Sequence, residues 1–464
     1  MQKILAKATN YPQRNRTESE WYEGVQTFMW IVEDNIVEVP FDKEHLLETI
    51  LSPSNLNRAY KKVMSNKGCG GIDKMSCEQL LPWLLANKDE LISSLLSGRY
   101  RPNPVLRVEI PKDNGKMRLL GIPTVVDRLI QQAINQVLTP IYERQFSRQS
   151  YGFRPRRGCK DAVKEAKRII SEGYHYVVDL DLERFFDTVN HSRLIEILSR
   201  TIKDGRVVSL IHKYLQSGVL NKGVFEVNEE GTPQGGPLSP LLSNIMLNEL
   251  DKELERRRHH FVRYADDAMI FCKSKRAAKR VKESVTRYIE NELHLKVNKE
   301  KTTASYVKGV KYLGYTFRVS KGECRLGVHP KSKANLITKL KELTKRSKGW
   351  GYEYRKQRLK DYIRGWVGYF NLAEMKRLCM DTDEWMRRRI RMCIWKAWKK
   401  PKTKIANLIK CGIPQWQAYQ WGNTRLGYWR IAGSVILHNA ITTDKLRRAG
   451  YAMLMDEYLK WNPK

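Results

Sequence analysis

Two adjacent carboxylates stand between two apolar runs in residues 261–272, Phe-Val-Arg-Tyr-Ala-Asp-Asp-Ala-Met-Ile-Phe-Cys. Because β-branched and aromatic residues favour strands, this segment predicts a β-hairpin with Asp266 and Asp267 at its turn. Two exposed acids at a turn are usually only solvated. Here, however, hydrophobic strands on both sides should hold the two carboxylates in a fixed position.

A second acidic block lies upstream at residues 177–187, Val-Val-Asp-Leu-Asp-Leu-Glu-Arg-Phe-Phe-Asp. We expect a buried strand with carboxylates at its end, and side-chain alternation places Asp179 and Asp181 on one face of it. If Asp181 lies beside Asp266 and Asp267, the three carboxylates can bind two Mg²⁺ ions about 3.5–4 Å apart. One ion would activate an attacking hydroxyl and the other would stabilise a leaving pyrophosphate. Mg²⁺ suits this chemistry because it takes oxygen ligands and keeps open positions for phosphates.

The overall composition indicates a folded protein with a polyanionic partner. The 464 residues include 85 Lys and Arg against 50 Asp and Glu, a net charge of +35, and 41% are hydrophobic. That apolar fraction excludes a disordered chain, and the length suggests about three or four domains or subdomains. The charge indicates nucleic acid or an acidic membrane surface. The membrane is disfavoured, because no apolar stretch approaches the roughly 18 residues of a span and the N-terminus lacks a signal-peptide block.

The cysteines and histidines offer no metal-ligand spacing. None of the eight cysteines forms a Cys-x-x-Cys pair, and the nine histidines show no His-Glu-x-x-His pattern. We therefore expect neither a zinc ribbon nor a disulfide framework, and we interpret the cysteines as ordinary thiols in a reducing cytosol. A metal acting in this protein would need oxygen ligands.

Residues 331–464 differ from the rest of the chain in charge and in tryptophan content. They contain 31 Lys and Arg against 10 Asp and Glu, a net charge of +21, together with nine of the twelve tryptophans. Basic side chains interleaved with aromatic rings suit a nucleic-acid groove, since charge binds phosphates and rings stack on bases. The alternative is a tryptophan-rich helical core beneath a solvated basic face. We expect both, with most of the tryptophans in the core and a minority in contact with RNA or DNA.

Local patterns predict the main elements ahead of residue 330. Residues 1–45 show no clear periodicity and are interpreted as an extension that docks on the body. The predicted elements are two short helices between Phe41 and Met64 broken near Ser52–Ser54, a helix over Cys77–Leu96, a hairpin over Val105–Pro123, an amphipathic helix over Gly158–Gly173 and a strand over Tyr174–Leu182.

A series of sequence blocks, in chain order, resembles the reverse transcriptase of group II introns over roughly residues 50–320. Tyr264-Ala-Asp-Asp267 is the form of the catalytic box in that family, and the block at 177–187 is similar to the other half of its palm. The remaining blocks are Lys112–Pro123 (fingers hairpin), Tyr151–Gly158 (Gly-Phe-Arg-Pro segment), Gly231–Pro240 (loop and helix start beside the nascent base pair), Val297–Thr302 and Tyr312–Phe317 (last palm blocks).

The resemblance implies roles for particular residues. Asp181, Asp266 and Asp267 would be catalytic and, together with Leu182, would bind two Mg²⁺ ions, with Mn²⁺ able to substitute. Phe186 would be the steric gate that excludes a ribose 2′-hydroxyl, the alternative being plain core packing, and Asp179 and Asp187 would be structural. The other implied positions are Lys112, Arg118, Gln234 and Lys299 for the nucleotide, Leu313 and Gly314 for the primer grip, and Arg154, Arg156, Arg364, Arg388, Lys399, Lys400, Arg425 and Arg430 for nucleic acid.

The implied fold is α+β, a right-hand polymerase with fingers, a palm built on a small antiparallel sheet, a helical thumb and a small basic helical C-terminal domain. The C-terminal third resembles the maturase region of the family, and Asn423–Arg430 resembles its small DNA-binding domain. We expect no endonuclease module, as in the bacterial group IIC-like class. The expected boundaries are 1–45 (N-terminal extension), 46–157 (fingers), 158–328 (palm), 329–398 (thumb and maturase domain) and 399–464 (DNA-binding domain).

The function that the resemblance implies is RNA-directed DNA synthesis by two-metal-ion nucleotidyl transfer, combined with maturase activity. The protein would bind its group II intron RNA, assist splicing and copy the intron into target DNA from dNTPs, on an RNA template with a DNA or RNA primer. It would act in the bacterial cytoplasm as a nucleoid-associated ribonucleoprotein, with no membrane partner and as a monomer or weak dimer. The alternatives are a related or domesticated reverse transcriptase in bacterial defence or repair, and an RNA-binding splicing factor with a silent palm.

Overall fold

The structure, a computed structural model, describes residues 26–32, 35–41, 44–111, 117–221, 223–227, 230–232 and 235–463, the first two ranges by their backbone only. The strands are β1 (Gln26–Val32), β2 (Asn35–Phe41), β3 (Val105–Pro111), β4 (Met117–Ile122), β5 (Tyr176–Leu180), β6 (Val219–Asn221), β7 (Val224–Glu226), β8 (His260–Tyr264), β9 (Asp267–Cys272), β10 (Thr303–Tyr306), β11 (Lys311–Tyr312), β12 (Tyr315–Ser320) and β13 (Glu323–Val328).

The helices up to residue 291 are α1 (Leu46–Leu51), α2 (Pro53–Asn66), α3 (Leu80–Leu96), α4 (Val125–Glu143), α5 (Cys159–Ser171), α6 (His191–Thr201), α7 (Gly205–Leu215), α8 (Ser239–Arg256) and α9 (Lys275–Asn291). Those that follow are α10 (Pro330–Leu343), α11 (Tyr352–Phe370), α12 (Lys376–Ala397), α13 (Pro401–Lys410), α14 (Gln415–Gly422), α15 (Tyr428–Ala432), α16 (Val435–Ala440), α17 (Thr443–Arg448) and α18 (Leu454–Trp461). Short 3₁₀ turns lie at Cys77–Gln79 and Phe185–Asp187.

The fingers combine helices α1 to α4 with a four-stranded sheet in the order β4-β3-β6-β7. The predicted helix break is confirmed, because Ser52 is extended and Pro53 begins α2, where a missing N–H costs nothing. The predicted hairpin is confirmed as well, since β3 and β4 pair antiparallel from Leu106↔Ile122 to Pro111↔Met117.

The palm is built on the sheet β10-β5-β9-β8, called here the palm sheet, in which all three pairings are antiparallel. Because successive side chains alternate, one face of the palm sheet packs against the predicted amphipathic helix α5, and the other packs against α9. The predicted strand and helix are therefore both confirmed. The palm sheet is buried on both faces, so the ends of its strands are held rigidly.

The thumb helices α10 to α12 share one core with α5 and with the three-stranded sheet β11-β12-β13, and helices α13 to α18 extend this core. The last helix is fixed from its start, because the backbone amides of Leu454 and Met455 both donate to the Asp383 carboxylate at 2.8 Å. Within the described residues, no helix is long and apolar enough to cross a membrane.

One element escaped the sequence analysis. Residues 26–32 and 35–41 form an antiparallel hairpin, β1–β2, that contacts α4, whereas we expected an extension that docks on the body and assigned no strand to it. The first of these runs, Gln-Thr-Phe-Met-Trp-Ile-Val, is continuous rather than alternating, so its periodicity does not distinguish a strand from a helix segment. The domain boundaries themselves stay a prediction.

Candidate active site

The palm sheet brings the two acidic blocks together at one edge. Strand β5 ends at Leu180, which pairs with Ala268 near the start of β9. Continuing this antiparallel register by one residue sets Asp181 opposite Asp267, with Asp266 in the adjoining turn of the β8–β9 hairpin. The three residues predicted to be catalytic thus lie side by side, although Asp181 is more than 80 positions away from the other two in the chain.

The electrostatics of this edge are those of a carboxylate cluster. Asp267 is accessible to solvent, but the protein around it displaces much of its hydration, which raises its pKa to about 6. The charges of Asp266, Asp179 and Asp181 add to that shift. Loss of hydration and the charge of Asp181 likewise raise the pKa of Asp179 to about 6. A group of like charges with raised pKa values is typical of a site built for a cation.

Two lysines that the sequence analysis did not single out partly offset this negative charge. The Lys301 ammonium lies 3.0 Å from the Asp181 carboxylate. Lys311, at the start of β11, lowers the pKa values of Asp179 and Asp267. Both lysines are exposed at the edge of the site, so solvent weakens each interaction.

The loop at residues 297–302 also fixes the backbone at Asp181. The Asp181 amide donates to the Thr302 hydroxyl at 3.2 Å, and the Asn298 amide donates to the Asp181 carbonyl at 2.9 Å. Leu182, predicted among the metal-binding positions, forms an isolated antiparallel bridge with Val297. This acidic block is therefore supported along both its strand and its following turn.

A buried ion pair supports the turn that carries Asp266. Arg263 is 1% exposed and Asp251 of α8 is 0% exposed. The guanidinium donates to both carboxylate oxygens, through Nε at 2.7 Å and Nη2 at 2.5 Å. Its Nη1 donates to the Ala265 carbonyl and to Asn244 Oδ1, both at 3.0 Å. Arg263 thus connects helix α8 directly to the backbone of the β8–β9 turn.

Gly152 also supports the turn, because its backbone packs directly against that of Ala265. A Cβ atom at Gly152 would lie 2.2 Å from the Ala265 amide nitrogen, so only glycine allows the two backbones to approach this closely. The Asn244 side chain donates to the Gly152 carbonyl at 2.8 Å. Ala265 itself has a left-handed φ of 56°, which is unfavourable for a non-glycine residue. The surrounding contacts therefore hold a strained turn in place.

The residues predicted to contact the nucleotide lie in several places. Phe186 borders a cleft of about 240 Å³ between the fingers sheet and the palm, which Arg184, Gly231 and Thr232 also line. The Phe186 ring is largely buried and packs edge-on against Phe185. Lys112 and Gln234 lie outside the described residues, as does the side chain of Arg118. Lys299 is exposed, and its ammonium lies 3.9 Å from Glu290 rather than at the carboxylate cluster.

The predicted primer-grip residues occupy the tight turn between β11 and β12. Leu313 and Gly314 both have positive φ, 48° and 82°, in a two-residue turn closed by the pair Tyr312↔Tyr315. The Tyr369 hydroxyl of α11 donates to the Leu313 carbonyl at 2.9 Å. In addition, the Ser332 hydroxyl and the His329 amide both donate to the Gly314 carbonyl at 3.0 Å. The turn is thus hydrogen-bonded to thumb helices α10 and α11.

The prediction that Arg154 binds nucleic acid is wrong, because this residue is 7% exposed and its guanidinium is engaged inside the protein. It donates to Glu143 through Nε at 3.0 Å and through Nη2 at 2.6 Å, and to the Ser147 and Ser150 carbonyls. Arg154 therefore stabilises the segment that contains Gly152.

The other residues predicted to bind nucleic acid fall into two groups. Arg364 pairs with Glu457, and Arg388 donates to the Trp429 carbonyl and stacks on the Trp429 ring. The side chains that are exposed on the surface are Arg156, Lys399, Lys400, Arg425 and Arg430.

Within the part of the chain that the structure describes, no three Asp, Glu, His or Cys side chains converge as a ready-made metal site. The donor set nevertheless fits a divalent cation. Carboxylate oxygens at the edge of the palm sheet repel one another, and Lys301 is drawn to one of them. Oxygen ligands of this kind suit Mg²⁺. Asp181, Asp266 and Asp267 are the residues that would hold the ion.

The fold and the site together define a nucleotidyl-transferring polymerase with a carboxylate-bearing palm. Residues 110–317 match the reverse transcriptase (RNA-dependent DNA polymerase) family, and residues 333–412 match the group II intron maturase-specific domain. Protein YkfC of Escherichia coli (strain K12) is 34% identical over 313 residues, 59% of this chain and 82% of YkfC. The group II intron-encoded protein LtrA of Lactococcus lactis subsp. cremoris is 34% identical over 360 residues, 62% of this chain and 58% of LtrA.

The chain belongs to the reverse transcriptases encoded by group II introns, and its enzyme class is RNA-directed DNA polymerase. It spans less than two thirds of the length of LtrA. Among solved structures, the chain is similar to one in a partial Cas6-RT-Cas1–Cas2 complex, with 25% identity and a TM-score of 0.34, over 53% of this chain and 43% of that one. Reverse transcriptases use divalent metal ions, and both matched domains imply nucleic-acid binding.

Proposed function

We propose that this protein copies RNA into DNA with two Mg²⁺ ions and acts as the maturase of a group II intron. It binds the intron RNA, assists its splicing and extends a primer from dNTPs to copy the intron into target DNA. The observation that carries the proposal is the meeting of Asp181, Asp266 and Asp267 at one edge of the palm sheet, in a chain that also matches the maturase-specific domain.

The carboxylates supply the electrostatic part of the reaction. Asp181, Asp266 and Asp267 would hold two Mg²⁺ ions, which would supply charge that lowers the pKa of the primer hydroxyl and neutralises the leaving pyrophosphate. Lys301, which pairs with Asp181, and Lys311, which opposes the rise in the pKa of Asp267, partly balance the negative charge of the cluster when no cation is bound. The Arg263–Asp251 pair keeps the Asp266 turn in place while the substrates change.

The cleft beside Phe186 supports a role for this residue in sugar selection. Its ring lies against Phe185, so it resists displacement towards the protein interior. A ribose 2′-hydroxyl placed against the ring would therefore meet a rigid apolar surface and lose its hydration. This arrangement favours dNTPs, in agreement with DNA as the product. The Leu313–Gly314 turn, which is fastened to the thumb, holds the primer terminus at the other side of the site.

The partners beyond the active site follow from charge. Residues 331–464 carry a net charge of +21, which suits the intron RNA and the target DNA. A ribonucleoprotein of this kind acts in the bacterial cytoplasm, near the nucleoid. A reverse transcriptase that serves defence or repair is the second candidate, but the maturase-specific match over residues 333–412 favours the intron function.

Primer extension on a structured RNA template, with dNTPs and Mg²⁺, tests the polymerase. We expect long cDNA from the parent chain and none from Asp266→Ala, with intron RNA binding retained in the variant because that binding uses charge elsewhere. The matched control is Asp89→Ala, which removes an exposed aspartate on α3 and should leave cDNA synthesis unchanged. Full-rate synthesis by the Asp266 variant would refute the assignment of the active site.

Splicing of a precursor RNA at limiting Mg²⁺ tests the maturase separately. The parent chain and Asp266→Ala should accelerate splicing of the cognate intron to the same extent. Absence of cDNA from both chains, with splicing retained, would identify a splicing factor with a silent palm. Synthesis of cDNA without any effect on splicing would identify a polymerase that serves another process.

A further inference from the structure

Helix α14 presents two aromatic rings to solvent on one face. Trp416 is 70% exposed and Tyr419 is 66% exposed. Their spacing of three residues places them as neighbours on the helix surface. Exposed rings of this size are unusual in a folded protein, because each one leaves a large apolar area in water.

The opposite face of α14 is fixed in the core, so the two rings are not simply displaced from it. Ala418 and Gly422 are buried against α13, and a Cβ atom at Gly422 would lie 2.4 Å from the Ile405 side chain. The helix therefore cannot rotate to bury Trp416 and Tyr419 without losing this close contact with α13.

The sequence that flanks the two rings carries charge of one sign. Between residues 385 and 443 the chain has twelve Lys and Arg and no Asp or Glu. Four of these basic residues are exposed close to α14 in sequence, namely Lys402, Lys410, Arg425 and Arg430. A second copy of this chain, with its net charge of +35, would be repelled from such a surface. A polyanion would be attracted to it.

The required partner combines dense negative charge with flat π-faces, and unpaired nucleotides have both. In a duplex the bases are stacked on one another and offer their faces only at the ends, whereas a single strand can lay its bases on protein rings. We propose that Trp416 and Tyr419 form a stacking platform for the unpaired bases of a single-stranded nucleic acid, whose phosphates contact the neighbouring lysines and arginines. The platform rests on the proposed function, because it names the form of nucleic acid that the C-terminal region takes.

The test compares the affinities of the full-length protein for three labelled probes, a 12-nucleotide single-stranded DNA, the same sequence as RNA, and the corresponding DNA duplex. The double variant W416L/Y419L keeps apolar side chains of moderate size but lacks π-faces. We expect it to lose about 10- to 100-fold in affinity for one or both single strands, with little change for the duplex. The dependence of log Kd on log salt should stay the same, since no charge is removed.

The matched variant W416F/Y419F retains both rings and should keep most of the parental affinity for the single strand. An exposed apolar residue of the same region, Val435, provides a second control, because Val435→Ala should change none of the affinities.

Several outcomes would overturn the platform. Equal losses for single strand and duplex in W416L/Y419L, or no loss at all, would remove the stacking role. Self-association of the parent chain that the leucine variant abolishes, measured by sedimentation velocity, would identify a contact between copies instead. Primer extension by the same samples separates this result from the polymerase assignment, since the platform variants should retain synthesis on a pre-annealed primer and template.

Discussion

Arg263 links helix α8 to the β8–β9 turn, because its guanidinium donates both to Asp251 and to the Ala265 carbonyl. Replacing Arg263 with methionine would remove these hydrogen bonds and would leave Asp251 buried without a cation. Removing one member of a buried ion pair costs about 3–5 kcal/mol of unfolding free energy. The Ala265 carbonyl and the Asn244 side chain lose a donor as well. We expect Arg263→Met to destabilise the protein by about 4 kcal/mol in urea unfolding and to lower the kcat of primer extension at least tenfold.

The two effects of Arg263 can be separated with the double variant Asp251→Leu with Arg263→Met. Because apolar residues can replace both members of a buried pair at little cost, the double variant should lie within about 2 kcal/mol of the parent in stability. Its kcat should remain low, since the Ala265 carbonyl still lacks its donor. The KM for primer and template should stay near the parental value, because the nucleic-acid surface is untouched.

The control is Arg257→Met, on the surface of the same protein region. Arg257 pairs with Glu253, which Arg256 also contacts, so the loss should be well under 1 kcal/mol. Recovery of the full parental kcat in the double variant would refute the positioning role of Arg263 and leave it a purely structural one. If Arg263→Met alone is as stable as the parent, the free-energy cost assigned to breaking the buried ion pair is refuted.

Three further predictions concern other parts of the site and fold. Phe186→Ala should increase ribonucleotide incorporation during primer extension, and unchanged sugar selectivity would exclude the gate. Gly152→Ala should abolish synthesis because its Cβ would meet the Ala265 amide at 2.2 Å, whereas Gly365→Ala, which meets nothing within 4 Å on α11, should keep full activity. Burial raises the pKa of Asp383 from 3.8 to about 6, so its contribution to stability is present below about pH 4 and is lost as the pH rises to 6, by up to about 3 kcal/mol. Asp383→Asn should remove that pH dependence of stability. If the thermal midpoint of the variant changes with pH as that of the parent does, the prediction is contradicted.

The acidic core of the site was predictable because its determinants are local. Each carboxylate block is flanked by residues of high strand propensity, and both blocks needed only to join one sheet. The residues that support the site from distant parts of the chain were harder to predict. Asp251 follows Leu247 by four residues and precedes Leu254 by three, so it lies on the apolar stripe of α8. That position signals a buried charge with a partner, but it does not identify Arg263 as the partner.

The arginines show why the nucleic-acid surface was harder to predict. Arg154 and Arg425 are both arginines in parts of the sequence with more basic than acidic residues, yet the first is hydrogen-bonded to Glu143 and backbone carbonyls and the second is exposed. Burial decides between these roles, and burial depends on how distant segments pack. The same applies to Lys299 and Lys301, since only the path of the loop after α9 turns the second towards Asp181.

The fastening of the β11–β12 turn to α11 has a mechanical consequence. Tyr369 donates its hydroxyl to Leu313, and its own carbonyl accepts from the Tyr315 hydroxyl at 2.5 Å, so one residue of the thumb holds both sides of the turn. A shift of α11 must carry the turn with it or break both bonds. The turn lies next to Lys311, which interacts with the carboxylates of Asp179 and Asp267. The thumb helix α11 and the β11–β12 turn therefore move together, and Tyr369 is the residue that connects them.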